Sequence, residues 1–91
     1  MGGEGDHEVS LPRYKSHKIV EAVKIDSLEF GGYGSAVIQH ADGQHKTHDR
    51  YREKYHGEEG GDLGYYVRYE DGYESWSPSK AFEEGYTKVD G

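Results

Sequence analysis

The chain predicts an α+β domain: a small, mostly antiparallel sheet of about five strands with two short helices. Three observations carry this reading. Tyr65 to Glu70 alternates with a period of two and runs into Asp71-Gly72, a dipeptide suited to a tight hairpin turn. Ile19-Val20-Glu21-Ala22-Val23-Lys24-Ile25 is rich in β-branched residues and nearly continuous in apolar character. Ser77-Pro78 precedes a short run holding Ala81 and Phe82 and closed by Gly85, which is the punctuation of a two-turn helix.

Met1 to Ser10 is rich in Gly and acid and is expected to be a disordered extension, so residues 11–91 form the single domain. In the strand from Lys18 to Ile25, Ile19, Glu21, Val23 and Ile25 share one face, and Val20, Ala22 and Lys24 the other. Apolar residues on both faces predict a central strand covered on both sides over part of its length; Ile19, Val20 and Val23 would also suit a helical stripe, but the Val and Ile residues favour a strand. Phe30-Gly31-Gly32-Tyr33-Gly34 is a turn, followed by a strand over Ser35–Gln39, a turn at Ala41-Asp42-Gly43 and a brief returning strand at Gln44–Lys46. Thr47 or Asp49 is placed to cap a helix from Arg50 to Tyr55, with Tyr51 and Tyr55 on one face.

After an acidic loop at Glu58–Asp62 comes the main hairpin. A two-residue loop sets Val67 opposite Trp76 and collects Tyr65, Val67 and Trp76 on one apolar face. A three-residue loop, with Gly72 in a bulge, sets Tyr69 opposite Tyr73 and turns Trp76 over. The first is preferred for its single apolar face. The second helix, capped by Ser77, needs the sheet beneath it because two turns are not stable alone. Tyr86–Val89 is the last strand.

The 91 residues include no Cys, which removes disulfide and thiol chemistry, and no apolar run approaches the length of a membrane span. Only 32% of residues are hydrophobic, and nine are Tyr, so the core must lean on aromatic rings. The net charge of −7 is uneven. Residues 58–91 carry nine acids against three bases, whereas residues 13–57 carry six acids against eight bases. That acidity argues against general nucleic-acid binding, which needs clustered Lys and Arg.

Few residues point to chemistry. His40, His45 and His48, with Asp42 and Asp49 nearby, form the one candidate metal cluster, but their spacing matches no standard zinc site. Ordinary surface histidines are the simpler reading, and neither metal nor cofactor is expected. Glu58/Glu59, Glu70/Asp71 and Glu83/Glu84 are adjacent acids in turns or at a helix end, where carboxylates are solvated rather than paired across a cleft. Gly31-Gly32-Tyr33-Gly34 lacks the Lys-Ser/Thr of a phosphate loop. The expectation is therefore a non-enzyme. Its most informative surface is the hairpin face presenting Tyr66, Arg68 and Tyr73, with the acids Glu58, Glu59, Glu70 and Asp71, because Tyr and Arg are enriched in recognition surfaces.

The segments Tyr14-Lys15-Ser16-His17-Lys18-Ile19-Val20-Glu21-Ala22-Val23-Lys24-Ile25 and Gly64-Tyr65-Tyr66-Val67-Arg68-Tyr69-Glu70-Asp71-Gly72-Tyr73-Glu74-Ser75-Trp76-Ser77-Pro78-Ser79-Lys80-Ala81-Phe82-Glu83-Glu84-Gly85-Tyr86-Thr87 together resemble small uncharacterised proteins of tailed phages and prophages. The match is weak from Asp26 to Gly60 and excludes Met1–Ser10. The resemblance implies phage origin and a shared fold, and it transfers no catalytic or binding residues. The resulting expectation is a phage accessory protein, monomeric or homodimeric, that binds a host or virion protein in the host cytoplasm or in the virion. The alternative is an acidic mimic of DNA that inhibits a host nucleic-acid defence.

Overall fold

The computed structural model describes residues 11–15, 19–57 and 61–89. The expected extension at 1–10 and the acids Glu58 and Glu59 lie outside them.

Two antiparallel sheets and one helix make three layers. The larger sheet contains β1 (Arg13–Lys15), β2 (Ile19–Lys24), β6 (Tyr65–Arg68), β7 (Glu74–Ser77) and β8 (Thr87–Lys88), in the order β7-β6-β2-β1-β8. The smaller is a meander of β3 (Ser27–Phe30), β4 (Ala36–His40) and β5 (Gly43–Lys46). Helix α1 (Ser79–Gly85) covers the opposite side of the larger sheet through Phe82. The α+β class holds, with eight strands where about five are expected. The short strands β1 and β3 carry little period-two signal of their own.

The chain changes sheets between two adjacent residues. The Ile25 N–H donates to the Gly64 carbonyl at 2.9 Å in the first sheet, and the Asp26 N–H donates to the Gln39 carbonyl at 2.8 Å in the second. Because β2 and β6 are central, their alternating side chains fill two separate cores. Val23, Ile25 and Tyr66 pack with Ala36, Ile38, Tyr51 and Tyr55 against the small sheet. Val20, Ala22, Tyr65 and Val67 pack with Phe82 under the helix. The division of β2 into two apolar faces is as its sequence predicts.

The main hairpin takes the other register. Tyr66 lies opposite Trp76, Val67 opposite Ser75 and Arg68 opposite Glu74, while the Tyr69 N–H bonds the Tyr73 carbonyl at 2.9 Å. The loop therefore holds three residues, with Gly72 at φ +90° and its N–H on the Tyr69 carbonyl. The preference for one apolar face fails because this sheet is buried on both. Tyr66 is consequently not presented: it is fully buried against the small sheet.

The expected helix from Arg50 to Tyr55 is a 3-10 turn at Tyr51–Glu53. Arg50, at φ +70°, cannot begin an α-helix. Thr47 does not cap it; its hydroxyl accepts the Ala36 N–H and donates to the His48 carbonyl, both at 2.9 Å. Ser77 likewise does not cap α1, whose first residue is held from a distant loop. Asp62 accepts both the Ser79 N–H at 2.8 Å and the Ser79 hydroxyl at 2.7 Å. The helix ends at Gly85 without a left-handed residue there.

Candidate functional site

The hairpin loop after β6 gathers most of the exposed recognition residues. Arg68 is the last residue of β6 and faces the small-sheet side of the larger sheet, opposite Glu21 on β2. Its Nε and Nη2 donate to Glu21 Oε1 at 3.0 and 2.8 Å, which fixes the guanidinium plane. Both side chains remain partly exposed. Asp71 accepts the Tyr73 N–H at 3.0 Å, tightening the loop. Tyr73 is 54% exposed, and Lys54 Nζ lies 4.0 Å from the centre of its ring. The tip is therefore an ordered aromatic and charged surface.

Beside it opens a cleft of about 430 Å³, lined among others by Arg13, Glu21, His48, Arg68, Tyr69 and Glu70. The walls come from β1, β2, the hairpin loop and the segment after β5. Among the described residues, Arg13 has no ion-pair partner. Arg68, Glu70, Asp71 and Tyr73 thus fall in one region, around the turn, and Tyr66, buried beneath it, does not.

Beneath this surface lies a polar network that pattern reasoning misses. Glu74, 4% exposed, receives the Tyr66 hydroxyl at 2.6 Å and the His48 N–H at 2.9 Å. A phenol has one O–H hydrogen, and Tyr66 gives it to Glu74. His45 Nε2, 2.9 Å from the same hydroxyl, is therefore the donor to it. Burial alone raises a carboxyl's pKa; here His45, with Nε2 3.8 Å away, the hydrogen bonds from the Tyr66 hydroxyl and the His48 N–H, and the His48 imidazole outweigh it and hold Glu74 below its ordinary value. Tyr66 is raised, by burial and by its bond to Glu74. The signal for this network is the bulged register, which turns Glu74 and Tyr66 inward together.

The three histidines go to different places. His40 and His45 are buried, whereas the His48 side chain is 74% exposed at the cleft. Among the described residues, no three His, Asp or Glu side chains are grouped to hold an ion. His40 Nδ1 accepts the Asp42 N–H at 3.3 Å, and burial lowers the pKa of the ring, against the pull of Asp42. The Glu70/Asp71 pair is exposed in the turn. Glu83 accepts the Tyr65 hydroxyl at 2.9 Å and lies 3.7 Å from Lys24. Ser75 and Ser79 serve structure: the Ser75 carbonyl accepts the Tyr51 hydroxyl at 2.8 Å, and Ser79 is held by Asp62. No described helix is long and apolar enough to cross a membrane.

No family model, curated protein or solved structure matches this chain.

Proposed function

We propose that this chain is a non-enzymatic accessory protein of a phage or prophage, acting by binding a host or virion protein through the hairpin tip and the adjoining cleft. The observation that carries the reading is Tyr73. The residue is more than half exposed, yet it is pinned by Lys54 from the ring face and by Asp71 through its backbone. An ordered exposed Tyr beside a fixed Arg is the composition of binding hot spots, because little side-chain freedom remains to be lost on docking. Arg68, Glu70 and Asp71 supply polar contacts around it. The phage assignment rests on the resemblance of the β2 and hairpin–helix segments.

The test is capture from bacterial lysate, with and without phage infection, using the wild-type chain and Tyr73→Ala in parallel. A protein retained by the wild type and lost by the variant supports the reading. Equal retention by both removes this surface. A captured DNA-binding protein that DNA displaces points instead to mimicry of a nucleic acid by the acidic surface.

A further inference from the structure

We propose that the loop bearing Tyr33, with Arg50 and Arg52 beside it, is a second docking point that takes an acidic peptide segment of a partner protein. This goes beyond the hairpin tip and rests on separate observations. Tyr33 is 86% exposed, and its side chain has no hydrogen bond or ring contact among the described residues. Its φ is +60°, and that of Arg50 is +70°. These are the two non-glycine residues with left-handed backbone among those described, and they touch: the Arg50 N–H donates to the Tyr33 carbonyl at 2.7 Å. The loop is seated closely, since a Cβ placed on Gly34 would lie 3.3 Å from the Arg50 Cα and 3.6 Å from the Arg52 Cβ.

Glycine or asparagine would take this backbone with less strain. A tyrosine that is strained, solvent-facing and unpacked contributes nothing visible to folding, and strain of this kind concentrates where chains bind something. The charge of the chain segment that brings Arg50 and Arg52 beside it indicates what. Residues 46–54 carry four bases, Lys46, Arg50, Arg52 and Lys54, against two acids, Asp49 and Glu53. The stretch is thus +2 within a chain of −7, leaving −9 for the remainder. Arg50 is engaged by Glu53 at 2.9 Å and Lys54 by the Tyr73 ring. Arg52 stacks at 4.7 Å over Phe30 and, among the described residues, has no carboxylate partner. A short acidic segment can meet Arg52 and lay an apolar side chain on Tyr33. A long phosphate backbone would run into the acidic remainder of the chain.

The experiment selects a random-peptide display library on the immobilised full chain, then measures a recovered peptide and oligothymidylate by fluorescence anisotropy. The expected peptides are rich in Asp and Glu next to an apolar residue, and bind more weakly as salt rises. Tyr33→Ala and Arg52→Ala should each weaken binding by about tenfold or more, while Tyr73→Ala leaves it unchanged. Tyr33→Gly, measured by thermal melting, should be at least as stable as the wild type. Non-acidic peptides, indifference to Tyr33→Ala or Arg52→Ala, loss through Tyr73→Ala alone, or tighter binding of oligothymidylate would each overturn the proposal. A lower melting temperature for Tyr33→Gly would do so too, by making the ring structural.

Discussion

Tyr66 on β6 donates its hydroxyl to the Glu74 carboxylate of β7 at 2.6 Å, inside the core between the two sheets. The pair is diagonal in the hairpin, since Tyr66 lies opposite Trp76 and Glu74 opposite Arg68. Glu74 also holds the His48 N–H, so this one carboxylate ties the large sheet to the chain leaving the small one.

Tyr66→Phe should therefore destabilise the fold by about 1–3 kcal/mol, the cost of a charged acceptor losing a buried donor. Glu74→Ala should cost more than Tyr66→Phe, because it takes the acceptor away from both the Tyr66 O–H and the His48 N–H. Urea titration of both variants measures this. A Tyr66→Phe protein as stable as the wild type would show that the bond is not needed.

The same carboxylate governs the acid limb of stability. The Glu74 pKa is lower folded than unfolded, so its contribution is present above the unfolded value and fades as pH falls through the folded one. Stability should decline on acidification below the ordinary carboxylate range, and Glu74→Gln should decline less steeply. Melting temperature against pH for the two proteins checks the slope; parallel curves would assign the acid limb to other groups.

Gly64 and Gly72 both have positive φ, but their surroundings differ. A Cβ at Gly64 would lie 2.5 Å from the Ser77 carbonyl and from Trp76 Nε1, which donates to the Leu63 carbonyl at 2.7 Å. A Cβ at Gly72 meets nothing within 4 Å. Gly72→Ala should cost about 1 kcal/mol, from backbone strain alone, and Gly64→Ala about 2 kcal/mol or more. Trp76 fluorescence should shift only in Gly64→Ala. Equal losses would mean that the close approach at Gly64 relaxes freely.

Phe82 is 1% exposed and stacks on Tyr65 at 4.4 Å and on Tyr86 at 4.6 Å between ring centres. Phe82→Ala should cost about 3–5 kcal/mol, a large share of the stability of so small a domain. Circular dichroism should report a partly unfolded population at ambient temperature; a native melting curve would show that the tyrosines refill the space.

Asp62 anchors the start of α1 from outside the helix, and hydrogen bonds from Ser79 hold its carboxyl below the usual range. Asp62→Ala should lower helical signal and melting temperature, and Ser77→Ala should leave the helix start intact because the Ser77 hydroxyl points to the Pro78 carbonyl. The reverse ranking would restore Ser77 as the cap.

Local pattern determined much of this molecule. The two apolar faces of β2, the turn at Asp71-Gly72, the helix around Phe82 and the turns at Gly31–Gly34 and Ala41–Gly43 follow from side-chain period and backbone preference, which neighbouring residues carry among themselves. Arg68, Glu70, Asp71 and Tyr73 lie near one another for the same reason: they adjoin one turn. What the tertiary structure decided is everything that depends on a second layer. Only the small sheet on the far face makes it favourable to bury Tyr66 and Trp76 together, and that choice sets the three-residue loop, turns Glu74 inward and removes Tyr66 from the surface. The Arg50 N–H bonds the Tyr33 carbonyl across 17 residues, both residues take left-handed backbone, and the expected helix at Arg50–Tyr55 is one 3-10 turn. The cap of α1 comes from Asp62, 17 residues away from Ser79. Hydrogen-bond partners and buried faces at such separations are set by where the layers meet, and the alternation of a single strand contains no record of which layer will cover it.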